Sequence, residues 1–355
     1  MKRTAALFIL IAIVATLSSC SKKNSVSTTV PTVADTSLKQ LPFPFGFAVN
    51  VSKLRNNTAY KNVLVAQAKS ITAETAMKIA YLHPAQNTYV YTDADYLVDF
   101  ALQNNIRVHG HTLVWHQSLP SWITNFVGDS TAWENLLKTH IQTIVTHFKG
   151  KVASWDVVNE AIENDGNGYR ASSIWYQKLG IGFIARSFQY AHEADPNALL
   201  FYNDYGNEWG VVKRNTILNL INDLKNKGVP INGIGMQMHT SFTQLDANIQ
   251  DAISVAVTTG LKIHISELDV SMNANNNQTL TFNSTIAQQQ ADKYKMIVKA
   301  FNIVPKAQQF GITTWGIGDV DSWIPGFYAR PDWPLLFDNT YQKKDAFFGV
   351  LAGVK

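Results

Sequence analysis

The sequence predicts one α/β chain closed into a single (β/α)8 TIM barrel, and three observations carry that prediction. Short apolar, β-branched runs recur eight times, beginning near Phe45, Ser70, Arg107, Ser154, Leu199, Gly233, Lys262 and Gly311, and each reads as a buried strand. Helix-period stretches lie between them, as at residues 132–148 and 214–227, the second closed by Gly228 and Pro230. Alternating strand and helix argues for a parallel sheet, and eight repeats argue for closure over an open doubly wound sheet. No glycine-rich phosphate fingerprint follows the first strand, which speaks against a nucleotide-binding fold.

The chain before the first strand reads as an export segment. Lys2 and Arg3 precede an apolar run, residues 5–17, too short to span a bilayer comfortably. Leu17-Ser18-Ser19-Cys20 then resembles a bacterial lipoprotein cleavage box, in which Cys20 becomes the lipidated first residue. An ordinary signal peptide cut nearby is the alternative, and both take the protein out of the cytoplasm. Residues 21–37 are polar, Ser/Thr-rich and aperiodic, the composition of a flexible tether. The expected organisation is therefore a signal peptide over residues 1–20, a tether over 21–37 and a catalytic barrel over 38–355. On this reading the chain is a monomeric outer-membrane or cell-surface lipoprotein, otherwise periplasmic or secreted, and touches membrane only through lipid on Cys20.

Composition narrows the chemistry. The 355 residues are 46% hydrophobic and 16% charged, as in a folded protein with a sizeable core. The net charge of +4 includes no basic block, so no nucleic-acid footprint is expected. Cys20 is the only cysteine, which leaves the barrel no disulfide, thiol nucleophile or cysteine metal site.

Two strands end in a carboxylate. Ser154-Trp155-Asp156-Val157-Val158-Asn159-Glu160 and Ile263-His264-Ile265-Ser266-Glu267-Leu268-Asp269 each run apolar and then present an acid. The C-terminal ends of barrel strands are where chemistry is placed, and two such glutamates suit acid-assisted cleavage of a glycosidic bond. Either alone would read as a solvated strand end. The third strand closes on His109, His111 and Trp115, and the two histidines share a strand face. That spacing also fits a zinc hydrolase recruiting His239, His264 and Asp269, although the pair sits at the third strand where the first would be expected. His239 closes the sixth strand beside Glu267, where it can keep that carboxylate ionised, and Asp269 can orient the histidine. Asn159 is suited to bond a sugar hydroxyl. Trp115, Trp315 and Trp323 follow strand ends and can stack on sugar rings, whereas Trp133 and Trp175 read as core.

Gly110-His111-Thr112-Leu113-Val114-Trp115-His116, Trp155-Asp156-Val157-Val158-Asn159-Glu160-Ala161, Tyr202-Asn203-Asp204-Tyr205 and Ile265-Ser266-Glu267-Leu268-Asp269-Val270 together resemble glycoside hydrolase family 10. The match keeps family order over roughly residues 40–350. The resemblance implies a retaining endo-1,4-β-xylanase acting on xylan and xylo-oligosaccharides, with Glu160 as acid/base and Glu267 as nucleophile. By the same resemblance His239 and Asp269 support the nucleophile, and Gln237, His111, Asn159 and Tyr205 belong to the sugar site. Glu74 and Lys78 hold the next sugar, and Trp115, Trp315 and Trp323 stack. No metal or organic cofactor is implied. The chain departs from the pattern at Thr75 (usually Asn), at Gln117-Ser118 (usually Ser-Gln) and at Gly206 (usually Asn), which bears on sugar binding. A non-catalytic glycan-binding lipoprotein and a β-glucanase of relaxed specificity are the rival readings. The charge on Glu267 is expected to raise the pKa of Glu160.

Overall fold

The computed structural model describes residues 37–355; Cys20, the signal segment and all but the last tether residue lie outside the described residues. The strands are β1 (Phe45–Val49), β2 (Ser70–Ala73), β3 (Arg107–Val114), β4 (Ser154–Asn159), β5 (Leu199–Asp204), β6 (Gly233–Met236), β7 (His239–Ser241), β8 (Lys262–Ser271) and β9 (Gln309–Thr314). All pair in parallel, β1 joining β9 and β6 joining β8, so the sheet closes on itself. β7 resumes the path of β6 after Gln237 and Met238 and also pairs with β8. β6 and β7 therefore form one stave, and the barrel has eight. Met238 carries the break, with a left-handed φ of 60°; such local kinks re-aim a side chain at a rim, here His239.

The strands are buried on both faces, because helices cover the outside and side chains fill the inside. That filling is partly polar. His109 bonds Ser154 at 2.7 Å, and His264 bonds Thr313 at 2.8 Å. Phe201 and Phe310 pack against both histidines. β6 approaches β5 closely because it carries glycine. A Cβ at Gly233 would lie 2.0 Å from the Phe201 ring, and one at Gly235 would lie 2.2 Å from the Asn203 amide oxygen.

Outer helices follow their sequence signals. Asp129 caps the helix Ser130–His147, accepting from the Ala132 N–H, and Trp133, Leu137, Ile141, Ile144 and Val145 form its buried stripe. Trp133 and Trp175 are core, packed edge to face 6.0 Å apart. The second predicted helix runs Val211–Asn226, and the last strand starts two residues before the predicted Gly311.

Candidate active site

Glu160 follows the last residue of β4 with φ 57°, a left-handed conformation uncommon for a side-chain-bearing residue. Its N–H donates to the Asn203 carbonyl at 2.9 Å, and its own carbonyl accepts from Arg170 Nε at 2.9 Å. The carboxyl is buried between two donors: Trp115 Nε1 gives to Oε2 and Gln237 Nε2 to Oε1, both at 2.9 Å. Burial raises the Glu160 pKa most, Asp204 adds to the rise, and the two donors oppose it. Glu267 also raises it but contributes less, so the expected cause is present without being the main one. His116 lies 4.0 Å from the same carboxyl and is pushed down to about 4 by burial, with Arg170 and Lys213 adding, which keeps it neutral.

Glu267 projects from β8 into the opposite environment. Its Oε1 accepts from Asn203 Nδ2 at 2.8 Å and its Oε2 lies 3.3 Å from His239 Nε2. His239 Nδ1 is 2.8 Å from Asp269 Oδ2, and Trp323 Nε1 donates to that same oxygen at 2.9 Å. Burial would raise the Glu267 pKa, but the His239 bond, the charges of His111 and His239 and the Asn203 bond hold it below the ordinary range. Burial disfavours the His239 cation, yet Asp269 and Glu267 outweigh it and raise its pKa well above the usual value. The two carboxyls are thus driven apart, one toward the acid and one toward the anion, the pattern that separates an acid from a nucleophile.

Both carboxyls face one cleft of about 610 Å³. Among the sugar-contacting residues expected from sequence, Lys78, His111, Trp115, Asn159, Tyr205, Gln237, His239, Trp315 and Trp323 line it and Glu74 does not. Lys78 Nζ sits 4.9 Å from the Trp115 ring and 5.8 Å from that of Trp315. Burial lowers its pKa, with Glu267, Glu74 and Glu160 opposing. Glu74 is raised by burial, while a bond to Asn50 and the charge of Lys78 pull it down. Gln117 reaches the cleft from its displaced position. At Gly206, with φ 80°, a Cβ would lie 3.3 Å from the Trp209 ring, so the aromatic crowds the space of the usual asparagine.

The donors a zinc site would need are divided. His109 and His111 lie 3.0 and 2.9 Å from one oxygen of Asp156. Burial would raise that carboxyl, but the two histidines hold it well below the usual range. His264 belongs to the barrel filling, and His239 is tied to Glu267 and Asp269. Among the described residues no group of three or more His, Cys, Asp or Glu has a metal-holding arrangement.

Several residues at the site were assigned no role there from sequence. Asn203 Nδ2 lies 2.9 Å from the Asn159 amide as well as bonding Glu267, and its Oδ1 accepts from Ser266; its place at the end of β5 was the available signal. Arg170 clasps the chain beyond Glu160, donating to the Glu160 and Ile162 carbonyls, to Asn164 and to Tyr205 Oη. Trp175 Nε1 fixes the Trp115 carbonyl at 3.0 Å. Asp204 pairs with buried Lys213 at 2.8 Å. Glu208 is buried with both carboxyl oxygens unbonded and is pushed up to about 7 by burial. Nothing in the spacing of Arg170 or Glu208 marked them.

Comparison with known proteins agrees with this geometry. The sequence profile of glycosyl hydrolase family 10 matches residues 34–353. Endo-1,4-beta-xylanase A of Cellvibrio japonicus is 40% identical over 340 residues, covering 87% of this chain and 55% of that protein. An endo-1,4-beta-xylanase of Geobacillus stearothermophilus is 39% identical over 327 residues, covering 87% and 95%. The crystal structure of xylanase 10B from Thermotoga petrophila in complex with xylobiose superposes with a TM-score of 0.82 at 37% identity, over 89% of this chain and 95% of that one. The chain spans about half the length of some curated relatives it matches.

Proposed function

The chain belongs to glycosyl hydrolase family 10, and from that premise we propose that it is an endo-1,4-β-xylanase cleaving internal β-1,4-xylosidic bonds with retention. The observation that carries the reading is the pair of oppositely tuned glutamates facing one cleft with four tryptophans on its walls, Trp115, Trp209, Trp315 and Trp323. Glu267 attacks the anomeric carbon while Glu160 transfers its proton to the departing sugar oxygen, giving a glycosyl ester on Glu267. Water then attacks that carbon, Glu160 takes the water's proton, and the Glu267 carboxylate leaves. Ester formation removes the charge on Glu267, and with it one of the influences that raise Glu160. Burial and Asp204 persist, so Glu160 becomes a better base only in part. Trp115, Trp315 and Trp323 offer faces to sugar rings, and Lys78, His111, Asn159 and Gln237 offer hydroxyl partners.

The test is release of reducing ends from linear xylan, with the anomer of the first product read by proton NMR. The β-anomer is expected. The α-anomer would mean inversion, with carboxyls about 6.5–9.5 Å apart in place of the 5–5.5 Å of retention. Binding without new reducing ends would favour the glycan-capture alternative. Glu160→Ala should spare the first step on an aryl xyloside with a good leaving group and regain turnover with azide, whereas Glu267→Ala should lose turnover on every substrate. Equal loss on activated and unactivated substrates would reject these roles.

The proposal extends to location. Lys2, Arg3, the apolar residues 5–17 and Leu17-Ser18-Ser19-Cys20 support lipidation at Cys20, with residues 21–37 tethering a monomeric barrel to the membrane.

A further inference from the structure

The peptide that joins Glu160 to Ala161 is held at both of its polar ends. Its carbonyl accepts from Arg170 Nε at 2.9 Å, and its N–H, that of Ala161, donates to Tyr202 Oη at 3.1 Å. A peptide unit is planar, so the two bonds together fix its plane. They fix with it the left-handed turn, φ 57°, that brings the Glu160 side chain into the cleft. A residue with a side chain stays in that conformation only where its surroundings over-determine it.

Both bonds lead to one carboxylate. Tyr202 Oη accepts from Ala161 and donates its own hydrogen to Asp204 Oδ2 at 2.5 Å. Burial and the Asp204 charge hold this phenol well above its ordinary pKa, so it keeps the hydrogen it gives. On the other side, Arg170 Nη2 donates to Tyr205 Oη at 3.0 Å, and the Tyr205 N–H donates to Asp204 Oδ1 at 2.9 Å. The same oxygen lies 2.8 Å from Nζ of Lys213, on the helix Val211–Asn226. A closed circuit therefore runs from the Glu160 carbonyl through Arg170, Tyr205, Asp204 and Tyr202 to the Ala161 N–H.

Tyr202 and Asp204 act from behind the barrel wall. Along β5, Phe201 and Asn203 face the interior, where they meet His109 and Glu267, so Tyr202 and Asp204 alternate toward the helices. Both are buried, as is Lys213, and none of the three lines the cleft. They do not meet the sugar; they set where Glu160 points. We propose that Tyr202 and Asp204 are positioning residues for the acid/base. Asp204, paired with Lys213, orients the Tyr202 hydroxyl and the Tyr205 backbone, and the two lines together aim Glu160 at the glycosidic oxygen. The proposal rests on the xylanase reading and adds to it the groups that hold the acid in register. Their loss must then be felt in proportion to how far the leaving group needs a proton. A positioned acid supplies about 10²–10⁴-fold, and only to a leaving group that departs poorly as an anion.

The experiment measures kcat/KM on xylohexaose and on a dinitrophenyl β-xylobioside, whose phenolate departs without a proton, in wild type, Tyr202→Phe and Asp204→Asn. For the aryl substrate kcat/KM reports only the steps up to the glycosyl ester, so the later role of Glu160 as base does not enter. Each variant should lose about tenfold or more on xylohexaose and less than about threefold on the aryl xylobioside, because only the first needs a well-aimed acid. Equal losses on the two substrates overturn the proposal by showing a packing role, and an undiminished rate on xylohexaose overturns it outright. Tyr202→Phe keeps the buried ring and every charge. Its comparison stands even if Asp204→Asn, which leaves the Lys213 cation unpaired in the interior, folds poorly. Failure of wild type to turn over either substrate overturns the xylanase reading, and the proposal with it.

Discussion

At the residue scale the site is defined by which hydrogen bonds each carboxyl receives. Trp115 gives Glu160 one of its two side-chain donors, and a donor favours the ionised form, so its removal must raise the Glu160 pKa. Trp115→Phe keeps an aromatic ring and deletes the N–H. Glu160 must be protonated to act, so its pKa sets the alkaline limb of kcat/KM, and that limb should move up by roughly one pH unit, given about 1.4 kcal/mol per unit. An unmoved or lowered limb would show that the indole N–H does not tune the acid. Glu160, Glu267, His239 and Asp269 were legible in the sequence because each follows an apolar, β-branched run, where spacing fixes neighbours, although β8 continues to Ser271 and carries Glu267 and Asp269 within it instead of ending at them. Arg170 was not legible, since its four acceptors come from a loop and from Tyr205, and no periodicity orders loop contacts.

At the scale of elements, β-branched runs with turn signals placed the staves well because barrel strands are buried from end to end. The last stave shows the limit. Ile263 pairs with Gln309 and His264 with Gly311, leaving Phe310 as an extra residue in a bulge. The polar Gln309 thus hides a strand start that the pattern assigns to Gly311. The break at Met238 was equally hidden, because a left-handed methionine has no compositional sign. Gly235 ties an element to the chemistry. Its Cβ would press on Asn203, which holds Glu267. Gly235→Ala should cost about 1–3 kcal/mol of stability through overpacking and should lower kcat in the folded fraction. Gly233→Ala, pressing on Phe201, should cost similar stability and spare kcat. Denaturant melts paired with kcat would separate them, and matching kcat losses would refute the link through Asn203.

At the scale of the whole molecule, the barrel interior is anchored by a charged group. Asp156 is held well below its ordinary value of 3.8 by His109 and His111 despite burial. A depressed carboxyl stabilises the fold above its unfolded pKa and loses that contribution as pH falls through the folded value. Asp156→Asn should therefore cost about 3 kcal/mol or more at neutral pH, and its difference from wild type should shrink below about pH 4. A difference constant between pH 7 and pH 3 would exclude the charge as its source. The other whole-molecule expectation concerns anchoring. Cys20→Ala, expressed in a bacterial host, should shift the protein from the membrane to the soluble fraction; a wild-type chain beginning downstream of Cys20 without lipid would end that proposal.

One oxygen carries more than a local consequence. Asp269 Oδ2 holds both the imidazole beside Glu267 and the Trp323 indole on the cleft wall. A lineage that altered sugar preference by replacing Trp323 would disturb the partner of His239 in the same step, and the two changes would not combine additively. Substrate range should therefore diversify at Glu74, Lys78 and Trp315, which hang from other parts of the barrel, while the wall at Trp323 stays frozen by its debt to the nucleophile.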